Sequence, residues 1–147
     1  PNTRISVDSG QIRIVEQVFF ATDRDTILPR SFRILTAVAE VLRAAPHIRR
    51  VSVNGHTDNR ASEEHNNDLS QRRANSVMRW LTEHGIDASR LEAHGYGASR
   101  PIAPNTNEAG RARNRRVEFV ILDPAQPQGV VTQPAAAAPP TGNTSRP

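Results

Sequence analysis

The 147-residue sequence contains no cysteine and no lysine, few aromatic residues and no long apolar run. Without cysteine, the chain has no disulfide, no thiolate nucleophile and no cysteine-based zinc site. No apolar run approaches the ~18 residues that a membrane helix needs, so no segment is expected to span a bilayer as a helix. The chain begins with Pro1 and not with methionine, so we expect a piece of a longer protein, and the missing signal peptide excludes nothing.

All nineteen basic residues are arginine, and with fifteen acidic residues they give a formal net charge of +4. Arginine clusters bind phosphates, so this balance raises the question of nucleic-acid binding. However, the arginines are scattered among acidic residues, and aromatics make up only 4% of the chain, which leaves few surfaces for stacking on bases. We therefore expect solvated and partly paired surface arginines and no nucleic-acid partner.

Length and composition predict one folded domain. The polar residues 1–10 are expected to be the end of a linker, and residues 11–123 to form the domain. Residues 124–147 are rich in proline and alanine and cannot bury enough apolar area to offset the entropy cost of ordering. They are expected to form a disordered tail.

Two apolar periodicities alternate within the expected domain. Alternating apolar residues predict strands near residues 12–20, 51–54, 91–97 and 117–121, with Glu16 as an outward or irregular position in the first of them. Helical spacing predicts one helix from Pro29 to Pro46 and another from about Leu69 to Gly85. The pattern predicts an α/β fold with helices packed on one face of a sheet.

No polar cluster in the sequence matches an established catalytic or cofactor motif. There is no Gly-x-Ser-x-Gly nucleophile turn, and the glycines around Tyr96 lack the full phosphate-binding pattern. His56, Asp58 and His65 are close in sequence, but their spacing matches no known metal-ligand motif. We therefore expect no catalytic residue, no metal and no cofactor.

Asp58 and Arg73 are the most informative pair of charges. Asp58 comes just after the strand at residues 51–54, and Arg73 falls in the first turns of a helix that Asn67, Asp68 or Ser70 would cap. A strand followed by a loop and a helix brings such positions to one crevice at the carboxyl end of the strand, where ligands commonly bind. Arg73 also lies on or beside the apolar stripe of its helix, where a charge requires a reason.

Two explanations account equally well for this pair. In the first, Asp58 binds the ammonium group of a zwitterion, and Arg73, assisted by the amino terminus of its helix, binds the carboxylate. In the second, Asp58 and Arg73 form a structural ion pair with each other. The spacing alone does not separate them.

Six separated motifs occur in order between residues 11 and 122. They are Val18-Phe19-Phe20, Gly55-His56-Thr57-Asp58, Asn66-x-x-Leu69-Ser70, Arg73-Ala74-x-x-Val77, Gly95-x-Gly97 and Gly110-Arg111-x-x-Asn114-Arg115-Arg116-Val117-Glu118. In this order they resemble the OmpA-like peptidoglycan-binding domain of outer-membrane proteins, peptidoglycan-associated lipoproteins and MotB-type stator proteins. The resemblance implies a β-α-β-α-β core with an added strand in a mixed sheet.

The resemblance also implies a function without catalysis, namely non-covalent binding of peptidoglycan through the diaminopimelate head group of its stem peptide. The key aspartate and arginine of the family fall on Asp58 and Arg73, which favours the pocket over the ion pair. Further pocket positions fall on Asn66, Thr57, Arg115 and Asp23. One departure is Ala21, which stands where many relatives carry a polar or acidic residue.

The implied location is the periplasm, as part of an outer-membrane or envelope-anchored protein. Contact with a membrane would occur only through parts absent from this chain, and a homodimer is compatible with the family. A protein-interaction module of a secretion or motility complex is the alternative function. An enzyme acting on the cell wall is a third.

Overall fold

In the computed structural model, which describes residues 4–8 and 11–123, one mixed sheet carries helices on one face. The strands are β1 Arg4–Asp8, β2 Gln11–Glu16, β3 Arg50–His56, β4 Leu91–Gly95 and β5 Arg116–Asp123. The α-helices are α1 Phe32–Ala44, α2 Glu63–Glu83 and α3 Glu108–Asn114, and short 3-10 turns occur at Pro29–Ser31 and Ala88–Arg90. None of the helices in this part of the chain is long and apolar enough to cross a membrane.

The strands follow the order β1-β2-β5-β3-β4. β3 and β4 are parallel, and α2 connects them, as parallel neighbours require. The last strand, β5, lies between β2 and β3 and is antiparallel to both, with Phe119 opposite Ile14 on one side and Val53 on the other. This topology confirms the predicted mixed sheet.

The core lies between the sheet and helices α1 and α2. Alternate residues of β3 and β5 face the helices, so the period-2 pattern in the sequence is confirmed. The helices contribute residues at intervals of three and four, as an amphipathic stripe requires. The most deeply buried apolar side chains of this core include Leu35, Val51, Val53, Val77, Leu81, Ile86 and Phe119.

The expectation of a linker end is wrong for residues Arg4–Asp8, which form β1 and pair with β2 from Arg4↔Val15 to Asp8↔Gln11. The polar composition of this segment hides an alternation of Ile5 and Val7, which is a strand pattern. Glu16, expected to be an outward or irregular position, does not point outward: it is buried, with 4% of its surface exposed, at the position paired with Val117. The predicted tail at residues 124–147 lies outside the described residues.

Helix α2 begins at Glu63, well before the predicted start near Leu69. Ser62 is the cap, because its Oγ accepts a hydrogen bond of 3.1 Å from the backbone N–H of His65. The first six residues of α2 are all polar, so apolar spacing could not reveal them. Arg73 therefore lies about three turns into the helix.

The contact between β4 and α2 gives a stability prediction at Gly95. A Cβ at Gly95 would lie 2.2 Å from the backbone nitrogen of Gln71, and α2 would have to move to admit it. We expect Gly95→Ala to lower the free energy of unfolding by about 1–3 kcal/mol in urea denaturation. The exposed His94, next to it on the strand, offers the control His94→Ala, with an expected change within about 0.5 kcal/mol. An unchanged unfolding midpoint for Gly95→Ala would contradict this close packing.

Candidate functional site

A crevice of about 630 Å³ opens at the carboxyl end of β3. Its walls come from the segment after β2, the loop between β3 and α2, the first half of α2, and the residue just before β5. All six predicted site residues line it: Asp23, Thr57, Asp58, Asn66, Arg73 and Arg115. A smaller crevice of about 390 Å³, lined by alternate residues of β3 and β5 that point away from the helices, contains none of them.

Asp58 is the buried anion of the larger crevice, with 6% of its surface exposed. Its Oδ2 accepts a hydrogen bond of 2.7 Å from Nη1 of Arg115, and its Oδ1 accepts one of 3.0 Å from the backbone N–H of Arg60. Burial raises the pKa of Asp58, but the hydrogen bonds and charges of Arg60 and Arg115 outweigh it, so the pKa lies below its ordinary value. Asp58 is therefore ionised at neutral pH.

Thr57 and Asn66 act on the main chain of Asp58. The Oγ1 of Thr57 donates a hydrogen bond of 2.8 Å to the carbonyl of Asp58. Nδ2 of Asn66 donates to the same carbonyl at 3.3 Å and to the carbonyl of Ala61 at 3.2 Å. These contacts fix the loop after β3 and so hold the carboxylate of Asp58 in place.

Arg73 is the half-buried cation on the α2 side of the crevice. Its Nε donates a hydrogen bond of 2.9 Å to the carbonyl of Arg24, its Nη2 lies 3.4 Å from the carbonyl of Ala21, and its Cζ lies 4.7 Å from the centre of the Phe20 ring. Burial lowers the pKa of Arg73, although the guanidinium remains charged at neutral pH. A guanidinium has five N–H donors, so three remain after these two hydrogen bonds.

The hypothesis of a structural ion pair between Asp58 and Arg73 is wrong. Within the described residues, Asp58 pairs with Arg115 and Arg60, while no carboxylate lies within 4.0 Å of the Arg73 guanidinium. The expected assistance from the helix amino terminus is also wrong, because the effect of the helix dipole fades within the first turn and Arg73 lies beyond it. The crevice thus presents an anion and a separate cation.

Arg115 and Asp23 occupy different depths of the crevice. Arg115 lies between two carboxylates, since Nη2 contacts Glu108 and Nη1 contacts Asp58, and the hydrogen bond to Glu108 contributes most to raising its pKa. Asp23 lies at the rim with its side chain 75% exposed, and its Oδ1 is 3.6 Å from Nε2 of His65. Asp23 has a positive φ of 57°, a conformation that aspartate tolerates better than most residues.

Three parts of the site were not predicted from the sequence. Arg60 lies two residues after Asp58. An aspartate side chain often accepts a hydrogen bond from the backbone N–H two residues further on, so this spacing could have identified Arg60 from the sequence. Glu108 gave no signal, because it belongs to the short helix α3, between the predicted strands at residues 91–97 and 117–121, where no element was predicted. Ala21 contributes a backbone carbonyl, so the departure of its side chain from the family pattern does not remove this contact with Arg73.

The histidines near Asp58 do not converge on it. His56 stacks on Tyr96, with ring centres 5.5 Å apart, whereas His65 lies at the rim beside Asp23. In the described part of the chain, no group of three or more histidine, aspartate or glutamate side chains is placed to hold a metal ion.

The lowered pKa of Asp58 predicts a pH dependence of stability. A carboxyl group whose pKa is lower in the folded state stabilises the fold above its unfolded pKa of about 4, and this contribution is lost as the pH falls through the folded pKa. In urea unfolding at a series of pH values below about 4, Asp58→Asn should therefore lose stability less steeply than the unaltered protein. Asp68→Asn, on the exposed side of α2, should keep the original slope. Equal slopes for Asp58→Asn and the unaltered protein would contradict a lowered pKa of Asp58 in the folded state.

Comparison with known proteins gives consistent matches. The model of the OmpA family matches residues 19–115. The chain is 41% identical over 115 residues to outer membrane porin F of Pseudomonas fluorescens, covering 78% of this chain and 35% of that protein. It is 40% identical over 104 residues to peptidoglycan-binding protein ArfA of Mycobacterium tuberculosis, covering 71% and 32%. It therefore spans about a third of the length of these two relatives.

Among solved structures, the cell wall anchor of the T6SS from Pseudomonas aeruginosa superimposes with a TM-score of 0.69 at 31% sequence identity. The match covers 81% of this chain and 86% of that one. Sequence and fold therefore agree across the region that contains the crevice.

Proposed function

We infer the function from one premise: this chain belongs to the OmpA family, whose model matches residues 19–115. We propose that the chain binds peptidoglycan non-covalently and anchors an envelope protein to the cell wall. The peptidoglycan-binding relative and the cell wall anchor of the T6SS support this proposal. We further propose that the bound group is the amino acid head group of diaminopimelate in the stem peptide.

The observation that carries the proposal is that, among the described residues, Arg73 has no carboxylate in direct contact, and Asp23 and Asp25 act on it only from farther away. A half-buried guanidinium normally has a carboxylate partner, and none of the described residues supplies one within 4.0 Å. Three of its N–H donors remain available, and the crevice that it lines also holds the ionised Asp58. A ligand with one ammonium and one carboxylate would contact both charges at once.

In this arrangement Asp58 accepts hydrogen bonds from the ligand ammonium, and Arg73 donates to the ligand carboxylate. Both are charge-assisted contacts, but both charges lose part of their hydration on binding, so we expect a Kd between about 1 mM and 1 μM. The cell wall is a polymer that presents the head group many times. Many tethered copies of the domain would therefore hold it firmly through effective concentration.

The proposed role is adhesion without turnover. Asp58 is held ionised by Arg60 and Arg115, which suits an ammonium acceptor better than an acid or base that must exchange a proton. Incubation with purified sacculi should release no soluble wall fragment above the background of a heat-denatured sample. Release that depends on the folded protein would contradict adhesion. The proposed location is the periplasm, as part of an envelope-anchored protein.

The choice of diaminopimelate is tested with two kinds of cell wall. A stem peptide with lysine at the third position keeps the ammonium but lacks the carboxylate that would contact Arg73. Loss of a hydrogen bond to a charged group costs about 1.5–3 kcal/mol, so co-sedimentation with lysine-type sacculi should be roughly tenfold to a hundredfold weaker. Equal binding to both walls would contradict the role of Arg73.

A further inference from the structure

We propose that Arg60 binds a second carboxylate, adjacent to the head group in the same ligand, so that the site selects wall peptides whose neighbouring acidic residue is not amidated. This inference rests on the proposed function and extends it from the head group to the residue beside it. It assigns a specificity role to Arg60, a residue outside the six predicted from the sequence.

The backbone of Arg60 is held more firmly than its side chain. The backbone N–H is fixed by its hydrogen bond of 3.0 Å to Oδ1 of Asp58, which holds the residue at the edge of the crevice. The side chain is 62% exposed, and its Nε lies 3.4 Å from Oδ2 of Asp58. The main chain of Arg60 is therefore held by Asp58, whereas its side chain is largely exposed to solvent.

Of the two arginine side chains that contact Asp58, that of Arg115 is held by more contacts. Its Nη1 lies 2.7 Å from Oδ2 of Asp58, and its other terminal nitrogen is held by Glu108. Its side chain is also less exposed than that of Arg60, at 34% against 62%. Arg60, in contrast, has Asp58 as its single carboxylate partner within the described residues.

A ligand ammonium that reaches Asp58 adds a third positive charge beside one carboxylate. Like charges this close repel each other, and the guanidinium with fewer contacts and more solvent exposure moves first. Arg60 is that guanidinium. Once displaced, it becomes a cation at the rim without a partner, near the part of the ligand that extends beyond the head group.

The charges that line the crevice are not all available to a ligand. Arg115 is already held by Glu108, and Asp23 lies beside His65 at the rim, so Asp58, Arg73 and Arg60 are the charges left to match. A head group with one ammonium and one carboxylate satisfies Asp58 and Arg73 but leaves Arg60 unbalanced. A free carboxylate on the neighbouring residue, such as the α-carboxyl of the glutamate that precedes diaminopimelate in wall peptides, would complete the pairing.

The test is a thermodynamic cycle with two soluble tripeptides, alanyl-γ-glutamyl-diaminopimelate with the glutamate α-carboxyl either free or amidated. Calorimetric titration of the unaltered protein should show the free acid binding about fivefold more tightly, the upper range for one exposed ion pair. In Arg60→Gln the two peptides should bind within about twofold of each other. Arg79→Gln removes the same charge from an exposed position on α2 that does not line the crevice, and it should keep the fivefold preference.

Three other outcomes are informative: two would contradict the role of Arg60, and one would contradict the proposed function. If Arg60→Gln keeps the preference for the free acid, Arg60 is not the partner of the second carboxylate. If Arg60→Gln binds both peptides more tightly by the same factor, Arg60 only covers Asp58, and the inference is wrong. Failure of the unaltered protein to bind either peptide would instead contradict the proposed function itself.

Discussion

Asp58→Asn is expected to abolish binding to diaminopimelate-type sacculi while the protein remains folded. The amide has the size of the carboxylate and can still accept a hydrogen bond from Arg115 or from the Arg60 backbone, but it lacks the charge that the ligand ammonium requires. Removal of one member of a buried charge pair costs about 2–5 kcal/mol, so affinity should fall at least about thirtyfold. Co-sedimentation measures the loss of binding, and circular dichroism during thermal unfolding measures the fold.

The matched control for this variant is Asp68→Asn. Asp68 lies on the exposed side of α2, where it forms an ion pair with Arg72, so the same chemical change there should leave binding within about twofold. If Asp58→Asn unfolds the protein at room temperature, Asp58 is structural. If it binds sacculi normally, the assignment of the ammonium site is wrong.

Arg73→Gln is expected to weaken binding by about tenfold to a hundredfold, because the ligand carboxylate loses a charge-assisted contact. Glutamine can still donate to a carbonyl of the Ala21–Arg24 segment, which should keep that segment in place. The neighbouring variant Arg72→Gln removes an equal charge from a side chain that pairs with Asp68 and Asp25 at the surface, and it should have little effect.

Equal losses in Arg72→Gln and Arg73→Gln would indicate a general electrostatic attraction instead of a defined site. Increasing salt separates the two cases as well. A general attraction between exposed charges weakens strongly as ionic strength rises, whereas a contact inside the crevice is screened less. We expect the affinity of the unaltered protein to fall only modestly as salt is raised.

The fold was largely predictable because its strongest signals are local. Alternation at Val51 and Val53 and helical spacing from Phe32 to Leu42 depend on neighbouring residues alone, and both patterns are confirmed. The errors arose where polar residues form regular structure. The start of α2 depends on the cap at Ser62, and β1 depends on pairing with β2, which average polarity does not reveal.

The candidate site was predictable as a set of residues that line one crevice, but not as a set of contacts. Asp58 and Arg73 follow from a strand, a loop and a helix, which are consecutive along the chain. The partner of Asp58, Arg115, is 57 positions away and arrives only because β5 lies beside β3 in the sheet. The support of Arg73 comes from the carbonyls of Ala21 and Arg24, and a backbone contact leaves no trace in residue type.

The most direct test of the central claim is a nuclear magnetic resonance titration of the labelled protein with the diaminopimelate tripeptide. The carboxyl carbon of Asp58 and the Nε–H of Arg73 should shift together, with one shared Kd, as the two ends of a single head group reach them. If only one of these signals shifts, or if the two saturate at different concentrations, no single amphoteric ligand bridges the two charges, and the account is contradicted.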